Sequence, residues 1–146
     1  MEFFMNIEKL LHAFNQSNVR YVVTAVERNR NNATSQRVRV EIEPTPLNAL
    51  RVLNTLHRTG LAHDEMTLQD IFNSREISLT LGNPAVGAKV ALGDHFFDRT
   101  WYRKHEEEIG HVSVFVAKSV DLKTALSQGE SHGFLHLYTA REKAHQ

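Results

Sequence analysis

The chain of 146 residues contains no cysteine. Its absence excludes disulfides, thiolate nucleophiles and cysteine-ligated zinc, and it fits a reducing compartment. No apolar run approaches the roughly 18 residues that mark a membrane-spanning helix, so no membrane partner is expected. A charge excess of either sign is also missing. Lys+Arg and Asp+Glu balance at 17 each, so no global field draws the protein toward nucleic acid or an anionic membrane. Seven glycines leave little room for a phosphate-cradling glycine loop, and neither G-x-S-x-G nor a Ser/His/Asp ordering occurs. The opening "MEFFM" has no basic region and is too short for a signal peptide, so a cytoplasmic location is expected.

What remains is ordinary globular material. An apolar content of 41% and a charged content of 23% suit one domain, 1–146. A chain of this length buries about 70% of the surface its unfolded form exposes. "NIEKLLHAFNQSN" predicts a helix over 7–17, capped by Asn6, with Ile7, Leu10, Leu11 and Phe14 on one stripe. "VRYVVTAV" is nearly continuous in β-formers, as a strand covered on both faces would be. "ERNRNNATSQ" carries no periodicity and reads as a loop.

The next stretch, "SQRVRVEIEP", alternates. Val38, Val40 and Ile42 point one way and Arg37, Arg39, Glu41 and Glu43 the other, which predicts a strand burying one face. Thr45 caps and Pro46 opens a helix over 46–59, with Leu47, Leu50, Leu53 and Leu56 as its apolar positions and Gly60 as its stop. "TLQDIF" forms a short helix. "EISLTL" and "VGAKVAL" are strands joined through Gly82, Asn83 and Pro84. An amphipathic helix in "HFFDRTWYRK" and a strand in "HVSVFVA" follow. Ser119 caps a helix in "VDLKTALSQ", and a last helix fills "SHGFLHLYTAREKA". Helices alternate with strands, two strand pairs have short connections, and the fold class expected is α/β or α+β, a mixed sheet flanked by helices.

Four stretches carry a resemblance through their order and spacing: "NVRYVV", "EPTPLNALRVLNTLHRTGL", "FFDRTW" and "VSVFVAKSVDLKTAL". Together they resemble the small bacterial nucleotidyltransferase-fold proteins, a branch of the polymerase-β-like superfamily, over about Ile7 to Gln128. The resemblance implies a nucleotidyltransferase-like sheet. In that family a glycine turn follows the first strand, and D-x-D on the next strand and a third carboxylate on a later one hold two Mg²⁺ ions. Counted back from Asn48, the two aspartates fall on Arg37 and Arg39. The glycine turn falls near Ala25 and Val26, and the third carboxylate at or near Gly87 or Lys89. Guanidinium carries no acceptor and stays protonated, so it cannot ligate a cation. The resemblance therefore implies a catalytically inactive member that binds or regulates and needs no cofactor. Its context would be a toxin–antitoxin or mobile-element system, and its partner a protein, a nucleotide or RNA, or a second copy in a homo-oligomer.

Several side chains are candidates for such a role. Arg28, Arg30, Arg37 and Arg39, with asparagines at 29, 31 and 32, form a basic group suited to phosphate. No aromatic residue is interleaved for base stacking. The plainer reading is a solvated loop beside a salt-bridged row of Arg37, Arg39, Glu41 and Glu43. The competing class is an active, Mg²⁺-dependent nucleotidyltransferase using relocated carboxylates, Glu41 and Glu43 first, then Glu27 or Asp94. His132 and His136 stand at i and i+4 and could share a metal on a helix, but no third ligand lies nearby. "HEEE" at 105–108 reads as a solvated charge run.

Overall fold

A computed structural model of the chain describes residues 6–29, 32–79, 81, 86–126 and 138–139. Helix α1 (Ile7–Gln16) leads into β1 (Tyr21–Asn29) and β2 (Asn32–Ile42); α2 (Pro46–Arg58) and α3 (Leu68–Ser74) follow. Next come β3 (Glu76–Leu79), β4 (Val86–Leu92), α4 (Phe97–Arg103), β5 (His105–Ile109) and β6 (Val112–Val116). A helical segment at 122–126, α5, precedes β7 (Tyr138–Thr139). The strands form one mixed sheet in the order β3-β4-β2-β1-β6-β5, with β7 paired to β1 beyond the end of β6. This is the expected mixed α+β architecture, and no helix among the described residues is long and apolar enough to cross a membrane.

The alternation in β2 holds. Val38, Val40 and Ile42 are at most 1% exposed and share one core cluster with Leu10, Leu11 and Phe14 of α1 and Val52 and Leu56 of α2. Burial of such side chains contributes on the order of 1.5–3 kcal/mol each. Asn6 caps α1 as expected, its Oδ1 accepting from the Lys9 amide at 2.8 Å. Thr45 caps α2, Pro46 opens it, and Gly60 follows its end in a left-handed conformation at φ +76°.

The inward face of α2 differs from the leucine stripe. Ala49, Val52, Leu53 and Leu56 enter the core, whereas Leu47 and Leu50 are 58% and 41% exposed. Asn48 is the cause. It is 2% exposed, and its side chain brackets two strand ends. Oδ1 accepts from the Arg20 amide at 2.7 Å, and Nδ2 donates to the carbonyls of Arg20 and Glu43, both at 3.0 Å. Leu47 stands about 200° around the helix from Ala49, which places it on the outer side.

Four further expectations are corrected. Residues 27–29 and 32–36 are not a loop: β1 and β2 continue as an antiparallel arm to Asn29 and Asn32, because backbone pairing needs no apolar alternation. "HEEEI" is strand β5, paired among the described residues to β6 alone. Asp121 rather than Ser119 caps α5, accepting from the Thr124 amide at 3.0 Å. The predicted last helix is contradicted at Tyr138 and Thr139, which pair with Val26 and Ala25 as β7, while its remainder lies outside the described residues. The turn through Gly82, Asn83 and Pro84 also lies outside them. Gly93 has a specific role: an added Cβ would meet the Phe97 ring at 2.7 Å and the Ile42 carbonyl at 3.1 Å. Only glycine lets α4 fold back onto the end of β2.

Candidate functional site: the charged face of the sheet

The side chains of β2 that avoid the core meet those of β4 and β1 on the opposite face. Parallel pairing sets Arg37 beside Gly87, Arg39 beside Lys89 and Glu41 beside Ala91. Antiparallel pairing sets Arg37 opposite Glu27. The positions at which the resemblance expects three carboxylates are therefore neighbours on adjacent strands, and they carry Arg, Arg and Gly or Lys.

The charges on this face neutralise one another. Arg39 Nε lies 3.5 Å from Glu41 and its terminal nitrogen 3.4 Å from Glu76. Lys89 Nζ lies 3.7 Å from Glu27 and 3.7 Å from Glu76. The resulting chain, Glu41–Arg39–Glu76–Lys89–Glu27, runs across β2, β3, β4 and β1. With Arg37 the face holds three cations against three carboxylates. Such partly exposed pairs are individually weak, at about 0–1 kcal/mol each, but a shared network orders the side chains that form it. Arg37 is exposed and forms no ion pair among the described residues. Its neighbour Gly87 has no side chain to cover it.

The predicted site residues divide accordingly. Arg37 and Arg39 share the face. Arg28 is registered opposite Gln36, the row next to Arg37, and Arg30 lies outside the described residues. Glu41 is held by Arg39. Glu43 pairs with Arg20 at 3.2 Å and accepts from the Thr45 hydroxyl at 3.0 Å, at the mouth of α2. Glu27 faces Lys89, and Asp94 accepts from the Phe96 amide at 2.8 Å to start α4. Every relocated carboxylate thus has a partner already. Among the described residues no group of three His, Asp or Glu side chains could hold a metal ion. His132 and His136 lie outside those residues.

Glu76 was not singled out by sequence reasoning, and Lys89 only as a position near which the resemblance expects the third carboxylate. Lys89 stands in "VGAKVAL", where it interrupts an otherwise apolar strand. A lone charge at such a position signals a side chain aimed away from the core.

Two other polar features have structural explanations. An open cleft lined by His105, Glu107, Lys118, Ser119 and Asp121 surrounds the start of α5. There Glu107 accepts from the Leu122 and Lys123 amides, both at 3.0 Å, and from His105 at 2.8 Å, so it ties the edge strand to the helix. Trp101 has two cations near its ring, Arg20 at 5.0 Å and Lys104 at 3.7 Å from its centre. Comparison with protein-family models, with curated proteins and with solved structures finds no match.

Proposed function

We propose that the chain is a non-catalytic binding module on a nucleotidyltransferase-like scaffold, regulatory rather than chemical, of the kind found in toxin–antitoxin or mobile-element systems. One observation carries this reading. The face that would hold metal ions in an active relative is closed by its own ion pairs, with Arg39 and Lys89 each set between two carboxylates. Two-metal phosphoryl transfer needs acceptor oxygens free to ligate cations. Here the available carboxylates are occupied and the central positions are basic.

Arg37 is the contact point that the network leaves open. Its guanidinium offers a planar fork of donors suited to a phosphate or a carboxylate. A charge-assisted hydrogen bond contributes about 1.5–3 kcal/mol, which alone corresponds to a Kd of about 6–80 mM, so tighter binding requires further contacts around Arg37. Titration with nucleotides and short RNA is expected to show binding that weakens as salt rises. Arg37→Ala is expected to lower that affinity about tenfold to a hundredfold without changing the melting temperature. Equal binding by the variant, or none by the wild type, removes Arg37 from the role.

Catalysis is tested separately. Incubated with Mg²⁺ or Mn²⁺ and labelled nucleoside triphosphates, the protein is expected to label neither itself nor RNA above background. Metal-dependent transfer lost in Glu41→Gln or Glu43→Gln would instead establish an active nucleotidyltransferase with relocated carboxylates.

A further inference from the structure

The two faces of α4 carry different chemistry. Phe97 and Trp101 serve the fold: their rings stack at 6.3 Å, and both pack with the core cluster. Phe96 and Tyr102 do not. They are 47% and 83% exposed, and neither belongs to the core. Phe96 is not needed to start the helix, since Asp94 accepts from the backbone there. Arg99 and Arg103 are exposed as well. At about 100° per residue, Phe96, Arg99, Tyr102 and Arg103 fall on one stripe about 120° wide, and Asp98 lies outside it. The Arg99 guanidinium sits over the Phe96 ring, 5.4 Å from its centre. Lys104, at the end of the helix, lies 3.7 Å from the Trp101 ring centre. None of Arg99, Arg103 and Lys104 forms an ion pair among the described residues, in contrast to Arg39 and Lys89 on the sheet.

We propose that this stripe binds single-stranded nucleic acid, with Phe96 and Tyr102 stacking on bases while Arg99, Arg103 and Lys104 take phosphates. Each nucleotide of a single strand presents a flat ring and a negative charge. The stripe alternates flat rings with unneutralised positive charges, which is the complement of that repeat. A guanidinium plane held over a ring adds a second stacking surface. A duplex offers the same phosphates but hides its base faces, so it lacks half of the match. The arginines of β1 and β2 have no rings beside them and could supply only the phosphate half. Overall neutrality, 17 charges against 17, is no obstacle, because salt screens charges beyond about 8–10 Å and leaves the local excess in control. The surface is a different one from Arg37, and the inference stands whether or not Arg37 takes an anion.

The test titrates labelled oligo(U), oligo(dT) and an abasic strand, each of about ten nucleotides, at low salt. The proteins are wild type, Phe96→Ala/Tyr102→Ala and Arg99→Gln/Arg103→Gln, each also in an Arg37→Ala background. Wild type is expected to bind the base-bearing strands, and the abasic strand about tenfold more weakly. The aromatic variant is expected to lose about tenfold on the base-bearing strands and nothing on the abasic one. The arginine variant is expected to weaken on all three and to flatten the slope of log affinity against log salt by about 1.4. These ratios are expected to be the same with and without Arg37, so failure of Arg37 as an anion contact leaves them untouched. All four positions are exposed, and the variants are expected to melt with wild type. The relative affinity for oligo(U) and oligo(dT) assigns the strand to RNA or DNA. No binding by wild type, equal affinity for the abasic strand, or unchanged binding by the aromatic variant overturns the inference. So does a wild-type dimer that Phe96→Ala/Tyr102→Ala dissociates in sedimentation, which would make the stripe a contact between copies.

Discussion

Replacing Asn48 by alanine is expected to destabilise the fold by about 3 kcal/mol, which is a large effect for one polar side chain. Asn48 satisfies one backbone amide and two backbone carbonyls, from Arg20 just before β1 and Glu43 just after β2. Alanine would leave the Arg20 amide unpartnered at a nearly closed position and take one of two donors from each carbonyl, since the Glu43 amide also donates to the Arg20 carbonyl and the Thr45 amide to the Glu43 carbonyl. A buried group stripped of its partner costs about 1–3 kcal/mol, and water can reach part of this site and offset some of the loss. Asn48→Asp is expected to be at least as harmful. It keeps the acceptor for the Arg20 amide but sets a carboxylate against two carbonyl oxygens. Leu47→Ala, one residue away on the exposed side, is expected to stay within about 0.5 kcal/mol of wild type. Urea unfolding of the three variants measures this directly, provided the slope with denaturant is unchanged. A loss under 1 kcal/mol in Asn48→Ala would mean that the bracket is not what holds α2 to the strand ends.

Alkaline pH is expected to destabilise the protein through Tyr21. The side chain is fully buried, with its ring against Phe14 and Phe115. Burial pushes its hydroxyl from 10.0 up to about 12, partly offset by hydrogen bonds with the Phe115 backbone and Asn15. The folded state therefore keeps a proton that the unfolded state gives up first. Below pH 10 both states are neutral at this group and it contributes no pH dependence. Between pH 10 and pH 12 stability falls as pH rises, by about 2–3 kcal/mol in total. Tyr21→Phe is expected to lose about 1 kcal/mol at neutral pH, because the hydroxyl no longer donates to Asn15 at 2.9 Å. In return its decline through the alkaline window should be shallower. Stability measured against pH for both proteins decides the matter, and parallel curves through that window would remove Tyr21 as the cause.

Much of the fold was legible because apolar periodicity and cap chemistry act locally. Val38, Val40 and Ile42 announced β2, Thr45 with Pro46 announced α2, and Asn6 announced α1. What local pattern could not show is pairing. "HEEEI" lacks an apolar face because its partners are β6 on one side and helix amides at Glu107, and neither leaves a trace in five residues. The polar arm between Glu27 and Gln36 is a strand pair for the same reason. The outward direction of Arg37 and Arg39 was readable, and so was a salt-bridged row. Of its expected members Arg39 and Glu41 pair, Glu43 pairs with Arg20 instead, and the partners on other strands were not readable. Arg39 meets Glu76 and Lys89 meets Glu27 only because β4 lies parallel to β2 with β3 beyond it, a non-local choice. Asn48 was visible as a residue after Pro46, but a bracket between two strand ends can be recognised only once those ends are adjacent.

The two margins of the sheet also bear on how copies of the chain meet in a crowded solution. A bare strand edge templates further strands and so seeds fibrils. Among the described residues β3 offers Glu76–Leu79, a short edge. β5 offers His105–Ile109. If two copies joined there head to tail about Glu107, Glu106 of each would stand opposite Glu108 of the other, like charge against like charge. The acidic run that gives β5 so little strand character in sequence would thus oppose edge-to-edge pairing of two copies at that margin.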